Sequence, residues 1–336
     1  MTRISIAIES KLGTEADRFL KAISPSNPTG KLGSSAMTYK PGLIWFQDFL
    51  SNETEQETFP SVRSIHDFLN AVREDSRSSK ESLDKTFPDR NLLKEFSGFL
   101  IKKGKSAKTV RTYVGAIQSL GAYWEIPISS QYSDLPPAIE QNEKYPWSIE
   151  KVGDFIKSMK NPFYECLGVW YVQSGLSNYD LLGLSYGKIK EQFESGTSPI
   201  CLNLVRYKTR RFEIKFRTFI GELGIEYFKT YLSGRKPFAD DAKIFSITDN
   251  AVEGFFARKA QRFLPEGFTQ RNPCCPSSLR TGFRTFLLDV ECPESIIEYF
   301  MGHNLSGDLK KKYTNKSDDS WRETYRKYES SLTFKR

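Results

Sequence analysis

Apolar residues recur at helical spacing over most of the chain. The clearest case is segment 91–124, in which two apolar stripes are interrupted at Gly104, a residue type that commonly ends helices. The first stripe lies in "NLLKEFSGFLIKK" and the second in "SAKTVRTYVGAIQSLGAYW". Shorter patterns predict helices over residues 42–50 and 62–72. We therefore predict a helical domain over residues 37–130.

The apolar period changes between residues 200 and 220. In "ICLNLVRYKTRRFEIKFRTFI", apolar and polar side chains alternate on both sides of a cationic turn, which is the pattern of a β-hairpin. Helical patterns precede it, in "SIEKVGDFIKSM" and "FYECLGVWYVQSG", and resume after Pro276. The predicted fold class is mainly α with a small β-sheet (α+β).

Two segments have the composition of connections rather than packed elements. Residues 1–36 contain "SPSNPTGKLGSS", which predicts a flexible N-terminal arm. The stretch "EIPISSQYSDLPPAIEQNEKYPW" contains four prolines and little periodicity, which is typical of a linker. We place the linker at 131–147, so that a second domain covers 148–336.

Charge adds a first indication of a partner. The chain of 336 residues has 49 Lys and Arg against 41 Asp and Glu, a formal net charge of +8. This excess favours an anionic partner, with nucleic acid the first candidate, although it also serves simple solubility. Lys102, Lys103, Lys105, Lys108 and Arg111 surround the junction of the two helices in 91–124. Cations grouped at helix ends can hold a DNA backbone, the alternative being a solvated turn.

The cysteine and histidine content argues against other classes of protein. The five cysteines include no C-x-x-C pair, which indicates reduced thiols in a cytoplasmic protein. With only two histidines, a zinc site is not expected. No stretch approaches the ~20 apolar residues that a membrane span needs. The N-terminus also lacks the apolar core of a signal peptide. We expect a protein of the cell interior without a membrane partner.

Four short segments, in this order, resemble the catalytic domain of the tyrosine recombinase (phage integrase) family. They are "SGLSNYDLLGL" (174–184), "YKTRRF" (207–212), "SSLRTGFRTFLL" (277–288) and "FMGHNLSGDLKKKY" (300–313). The upstream "FLIKKGKSAKTVRTYVGAIQSL" is similar to the helical core-binding domain of that family, so the resemblance covers roughly residues 90–330. The wording of the motifs is most similar to archaeal and archaeal-virus members, which suggests a mobile element.

The resemblance implies a fold, a reaction and a set of residues. The two domains would form a C-shaped clamp on double-stranded DNA, as a dimer or tetramer. Tyr313 would attack the scissile phosphate and form a 3′-phosphotyrosyl intermediate, so rejoining needs no ATP, metal or cofactor. Arg280 would clamp the phosphate and His303 would hydrogen-bond one of its oxygens. Lys208 would protonate the leaving 5′-oxygen, with Arg206, Arg210 and Arg211 as rivals for that position.

The chain departs from the family pattern at two positions. Ser177 and Ser277 stand where the family has an arginine and a histidine. Loss of one charge-stabilising donor typically lowers a rate on the order of 10²–10³-fold. We expect a cation from elsewhere, Arg284 or Arg210, to fill the space above Ser177 and to contact DNA. The alternative is a DNA-binding regulator that keeps the fold and has reduced or no cleavage activity.

The end of the chain also carries an amphipathic pattern. In "SWRETYRKYESSL" (320–332), three aromatic side chains fall on one helical stripe. The resemblance suggests that this segment docks on a neighbouring subunit, and packing within the same chain is the alternative.

Overall fold

The chain divides into two compact units, residues 1–141 and 142–336. The division falls inside the proline-rich segment expected to be a linker. The computed structural model describes residues 12–24, 33–52, 55, 57–77, 87–129, 135–137, 147–206, 214–236, 238–264, 275–305, 313 and 316–336.

The described part of the first unit is helical. Its helices are α1 (Thr14–Ala22), α2 (Ser34–Ser51), α3 (Ile65–Arg77), α4 (Pro88–Lys102) and α5 (Ala107–Tyr123). Helix α5 begins where the Ser106 hydroxyl accepts a hydrogen bond from the Thr109 N–H, a side-chain cap for the first turn. The core contains a cluster of aromatic rings from α2, α3 and α4, and Phe46 makes edge contacts at 5.0 Å with Phe68 and 5.1 Å with Phe96.

Helix α1 corrects one expectation. The arm predicted over residues 1–36 contains this helix, whose Phe19 and Leu20 are buried in the core of the unit. The Phe19 ring lies 6.2 Å from that of Tyr39 and 5.7 Å from that of Tyr123. Burial of one apolar face therefore outweighs the loop-like composition around α1.

The described part of the second unit combines helices with an antiparallel pair of strands, so the predicted mainly-α fold with a small sheet is confirmed. Strands β1 (Ile200–Val205) and β2 (Lys215–Ile220) pair in a register that runs from Ile200 opposite Ile220 to Val205 opposite Lys215. The helices are α6 (Ile149–Lys157), α7 (Pro162–Ser174), α8 (Asn178–Leu182), α9 (Lys190–Glu194), α10 (Glu222–Leu232), α11 (Asp249–Ala260), α12 (Pro276–Asp289), α13 (Glu294–Phe300) and α14 (Asp318–Arg326), with 3₁₀ turns at Tyr186–Lys188 and Glu329–Leu332.

Helix α7 forms the centre of this unit. Every residue from Cys166 to Ser174 is buried, and the helix packs against α10 and α12. The indole N–H of Trp170 donates to the Gly224 carbonyl at 3.0 Å, which satisfies the one polar atom of that buried ring. Helix α7 ends at Gly175, whose φ of +60° lies in the left-handed region that glycine adopts without strain.

The C-terminal segment packs on its own unit. Trp321 and Tyr325 of α14 are fully buried, and the Tyr325 hydroxyl donates to the Gln173 carbonyl at 3.0 Å. Farther along, the Phe334 ring lies against Gly153 of α6, where a Cβ atom would come within 2.6 Å of the ring. The aromatic stripe therefore has its partner in the same chain, which corrects the expectation of docking on a neighbouring subunit.

Among the described residues, no helix is both long enough and apolar enough to span a membrane.

Candidate active site

Arg280 joins three separate segments of the second unit. It lies on α12, whose neighbouring Leu279 and Phe283 are buried and fix that face of the helix against the core. Its Nη1 donates to the carbonyl of Gly175, at the end of α7. Its Nη2 donates to the Met301 carbonyl at 2.8 Å and to Nε2 of His303 at 2.9 Å. Arg280 is therefore held in a fixed orientation by the ends of two helices.

His303 connects Arg280 to a carboxylate. Because an arginine can only donate, Nε2 of His303 accepts from Arg280, and Nδ1 carries the proton and donates to Glu298 Oε2. Burial lowers the pKa of the His303 imidazole below its ordinary value, Glu298 acts in the opposite direction, and Arg280 and Arg206 lower the pKa further. The ring is therefore neutral near pH 7. The neutral ring orients Arg280, because its Nε2 accepts from the Arg280 guanidinium while its Nδ1 is held by Glu298.

Arg206 is a second cation beside Arg280. It directly follows β1, and its backbone N–H donates to the Ile214 carbonyl at 3.0 Å, one position beyond the paired strands. Its Nη1 donates to the Gly302 carbonyl at 2.9 Å. Burial lowers the pKa of the Arg280 guanidinium to about 10, and the charge of Arg206 contributes in the same direction. Two guanidinium groups are therefore bound to consecutive peptide units after α13.

The strand pattern in the sequence indicates where the Arg206 side chain points. Alternate residues of a strand share a face, so Arg206 continues the face of Leu202 and Leu204. Leu202 is buried in the core of the unit and Leu204 is partly buried. The alternation therefore directs the Arg206 side chain inward, toward the end of α13.

Arg284 does not fill the space above Ser177. Its Nε donates to Glu298 Oε1 at 3.1 Å, and its Nη2 is paired with Glu294. Ser177 instead caps α8, because its hydroxyl donates to the Asp180 carboxylate at 2.6 Å and accepts from the Asp180 N–H at 3.3 Å. The expectation for Arg284 is therefore corrected: two carboxylates on α13 hold its guanidinium.

Ser277, at the other departure from the motif, is exposed near the start of α12. Its hydroxyl lies 3.0 Å from the Cys275 thiol. The remaining candidates near the hairpin turn, Lys208, Arg210 and Arg211, lie outside the described residues.

Tyr313 lies in a pocket of aromatic side chains. It is 6% exposed, and its ring centroid is 5.7 Å from that of Tyr299 and 5.3 Å from that of Trp321. Its hydroxyl is 2.6 Å from the Ser295 hydroxyl, at the start of α13. Ser295 is six residues before Met301, whose carbonyl binds Arg280, and six residues span about 9 Å of helix axis. The Tyr313 hydroxyl is therefore held near the start of α13, whereas its ring lies against Tyr299, near the end of that helix.

The five cations at the junction of α4 and α5 differ in exposure and in contacts. Lys102, Lys103 and Lys108 are exposed, although Lys103 also lies 3.6 Å from Glu55. Lys105 lies over the Trp45 ring at 4.4 Å. Arg111 donates from Nε to the Pro136 carbonyl at 2.9 Å, which ties α5 to the following segment. The lysines therefore present most of the accessible charge at this junction.

No three His, Cys, Asp or Glu side chains are grouped as metal ligands within the part of the chain that the structure describes.

Comparison with known proteins identifies the fold. No family model matches the chain, and no curated protein matches its sequence. Among solved structures, the Tn1549 transposon integrase in complex with a circular intermediate DNA is 18% identical, with a TM-score of 0.56 over 94% of this chain and 99% of that one. The XerH site-specific recombinase bound to its difH substrate in a pre-cleavage complex is 16% identical, with a TM-score of 0.53 over 92% of this chain and 94% of that one. The chain therefore has a recombinase-type fold.

Proposed function

We propose that this chain is a site-specific DNA recombinase or integrase that cuts and rejoins duplex DNA through a 3′-phosphotyrosyl intermediate on Tyr313. The observation that carries the proposal is the group formed by Arg280, His303 and Arg206, in a fold shared with integrases and recombinases solved on DNA. The guanidinium groups of Arg280 and Arg206 lie beside consecutive carbonyl groups, where a phosphate diester would supply the opposite charge.

The proposed reaction moves one phosphoryl group and returns it. The Tyr313 oxygen gives up its proton to solvent and bonds to phosphorus, while the bond from phosphorus to the 5′-oxygen of DNA breaks. Lys208 protonates the leaving 5′-oxygen. In the reverse step a 5′-hydroxyl gives its proton to Lys208 and bonds to phosphorus, the bond from phosphorus to the Tyr313 oxygen breaks, and that oxygen regains a proton from solvent. Each step exchanges one phosphodiester bond for another, so the energy of the broken bond is conserved and no external energy source is required.

The resting position of Tyr313 imposes one condition on this reaction. Because its hydroxyl is hydrogen-bonded to that of Ser295 and its ring lies between Tyr299 and Trp321, the side chain must leave this pocket before it attacks the phosphate. We propose that DNA binding supplies that change, and that the chain acts on DNA as a dimer or tetramer. Neutral His303 would meanwhile hold Arg280 in place for the phosphate.

DNA contact by the first unit is the second part of the proposal. The exposed Lys102, Lys103 and Lys108 would bind the phosphate backbone, with Lys105 beside them on Trp45. Such contacts give affinity without sequence preference. We propose a location in the host cytoplasm, associated with the nucleoid, and a mobile element of an archaeal host as the source.

A suicide-substrate experiment tests the proposal. Duplexes are first selected by this protein from a random-sequence library, and each is then nicked near the selected site so that a covalent adduct accumulates. We expect an adduct with the wild type and none with Tyr313→Phe, whose DNA affinity should be unchanged because no cation is removed. Tyr164→Phe is the matched control, since that partly buried tyrosine stacks on Phe255. An adduct on Tyr313→Phe would exclude Tyr313 as the nucleophile.

Two substitutions favour a second candidate function, a DNA-binding regulator with reduced or no cleavage. Ser177 serves as a helix cap and Ser277 is exposed beside Cys275, so neither supplies a cation or a base. The same experiment separates the two functions. Selective DNA binding by the wild type without adduct on any selected duplex would support the regulator.

A further inference from the structure

We propose that Arg206 is the second phosphate-binding arginine of this site and supplies the positive charge that Ser177 lacks. The inference rests on the proposed function, because it names a residue that contacts the same scissile phosphate. It differs from the expectation for Arg284 and Arg210, and it concerns a residue at the end of β1 rather than in the hairpin turn.

The geometry places Arg206 and Arg280 at one point of the fold. Arg280 binds the carbonyl of Met301 and Arg206 binds the carbonyl of Gly302. Successive α-carbons of a chain are about 3.8 Å apart, so the two anchoring peptide units are immediate neighbours. Both guanidinium groups are therefore fixed beside the end of α13, one delivered by α12 and the other by β1.

Within the part of the chain that the structure describes, the carboxylates near this pair of like charges are shared with other partners. Glu298 faces the group, but one of its oxygens binds His303 and the other binds Arg284. Asp180 raises the pKa of Arg280 through its charge, yet its carboxylate also accepts from the Ser177 hydroxyl. Arg206 and Arg280 repel each other, and an anion held between them would remove that repulsion. The electrostatics therefore favour a bound oxyanion.

Arg206 also has hydrogen-bonding capacity in reserve. A guanidinium group has five N–H donors, and one of those of Arg206 is used at Gly302. Its Nε is buried and finds no acceptor among the described residues. A phosphate oxygen pair matches the Nε and Nη2 donors of an arginine in a two-point contact. Arg284 offers no such reserve, because its Nε and Nη2 are already bound to carboxylates.

The chemical role follows from where charge develops in the cleavage step. As the Tyr313 oxygen bonds to phosphorus and the 5′-oxygen departs with a proton from Lys208, negative charge concentrates on the two nonbridging oxygens. We assign one of these oxygens to Arg280 and the other to Arg206. The phosphate then carries no uncompensated charge, although Ser177 contributes only a neutral hydroxyl.

The first arm of the test compares a charged and a neutral scissile group. Suicide substrates carry either the ordinary phosphodiester or a methylphosphonate, in which a methyl group replaces one charged oxygen. We expect Arg206→Gln to slow adduct formation by about 10²–10³-fold on the phosphodiester and by less than about 10-fold on the methylphosphonate. Arg235→Gln is the matched control, since its guanidinium lies over the Tyr231 ring. Equal slowing on both substrates, or no slowing relative to the control, overturns the proposal.

The second arm does not depend on cleavage. The chain contains only two histidines, so side-chain NMR resolves His303 and His66 separately. Inorganic phosphate should shift the His303 signals of the wild type and leave those of His66 unchanged, because His66 lies in the first unit beside Glu15. Arg206→Gln should weaken this binding by at least about 10-fold, and Arg206→Lys, which keeps the charge without the fork, should fall between the two.

The two arms separate the failures. If the wild type forms no adduct, the recombinase proposal fails, and the phosphate titration still decides the role of Arg206. Phosphate shifts of His303 that are equal in the wild type and in Arg206→Gln, or absent from both, overturn the assignment of Arg206. Dispersed signals from both histidines in each variant confirm that the substitutions leave the two units folded.

Discussion

Replacing Ser295 by alanine should accelerate the proposed strand cleavage. In the resting structure the Ser295 hydroxyl is 2.6 Å from that of Tyr313, and this contact helps to hold the proposed nucleophile at the start of α13. Alanine removes that hydrogen bond and leaves the rings of Tyr299 and Trp321 in place around Tyr313. The substitution therefore weakens the resting position without touching Arg280 or His303.

The magnitude follows from the two kinds of contact in the pocket. A neutral intramolecular hydrogen bond contributes about 0.5–1.5 kcal/mol net, whereas each of the two aromatic pairs contributes a similar amount beyond burial. Loss of the hydrogen bond alone should raise the population of released Tyr313 by about 2- to 10-fold, since about 1.4 kcal/mol corresponds to a factor of ten. The ring contacts keep the resting position favoured in the variant.

Single-turnover adduct formation on a suicide substrate measures this effect. We expect the rate for Ser295→Ala to exceed that of the wild type by about the same 2- to 10-fold factor, if release of Tyr313 precedes attack. Ser331→Ala is the control, because its hydroxyl donates to the Tyr328 carbonyl within the C-terminal turn. Nitration of Tyr313, followed by mass spectrometry, reports its release independently of DNA. Unchanged nitration together with an unchanged adduct rate would refute the role assigned to Ser295.

Three further predictions concern the site and its supports. Adduct formation should fall as the pH drops through the pKa of His303, because protonation of Nε2 removes the acceptor for Arg280. Glu298→Gln should move this loss to lower pH, because Glu298 raises the pKa of His303, and a pH–rate profile with histidine NMR measures both effects. Gly175→Ala should destabilise the second unit by about 2–5 kcal/mol in urea titrations, because alanine is strained at this positive φ and its Cβ would clash with Phe283. Gly196→Ala is the control, because its φ of +74° brings the same backbone strain but open space surrounds the added Cβ. DNA affinity should decline steeply with salt, and binding unchanged between low and moderate salt would contradict phosphate contacts at the α4–α5 junction.

Local patterns were sufficient to predict the elements that bury one regular face. The alternation around Leu202 and Phe216 predicted the hairpin, and both side chains lie in the core of the second unit. Helix α1 was missed because Ala16, Phe19 and Leu20 are few among Ser, Gly and Pro residues. Their burial depends on contacts with α2 and α5, which composition does not encode.

The site was predictable only in part for a similar reason. Motif spacing predicted that Arg280 and His303 act together, and the structure brings Nη2 of Arg280 within 2.9 Å of Nε2 of His303. The identity of the second cation depends on tertiary packing, because the end of β1 brings Arg206 to the Gly302 carbonyl, after the end of α13. Arg284 is instead held by Glu294 and Glu298. The resting position of Tyr313 depends on Ser295, a residue that no motif contains.

The packing of Phe334 against Gly153 has a consequence for the order of events during synthesis. About 180 residues separate these two positions, and at roughly 5–20 residues per second the ribosome needs about 10 to 40 s to make them. Through that interval α6 has emerged, but the core it belongs to lacks its final aromatic side chains. The first unit can form its own core meanwhile, whereas the core of the second is complete only after translation reaches Phe334. A nascent chain stalled before this point would therefore leave part of this apolar core uncovered, where chaperones and proteases can bind it.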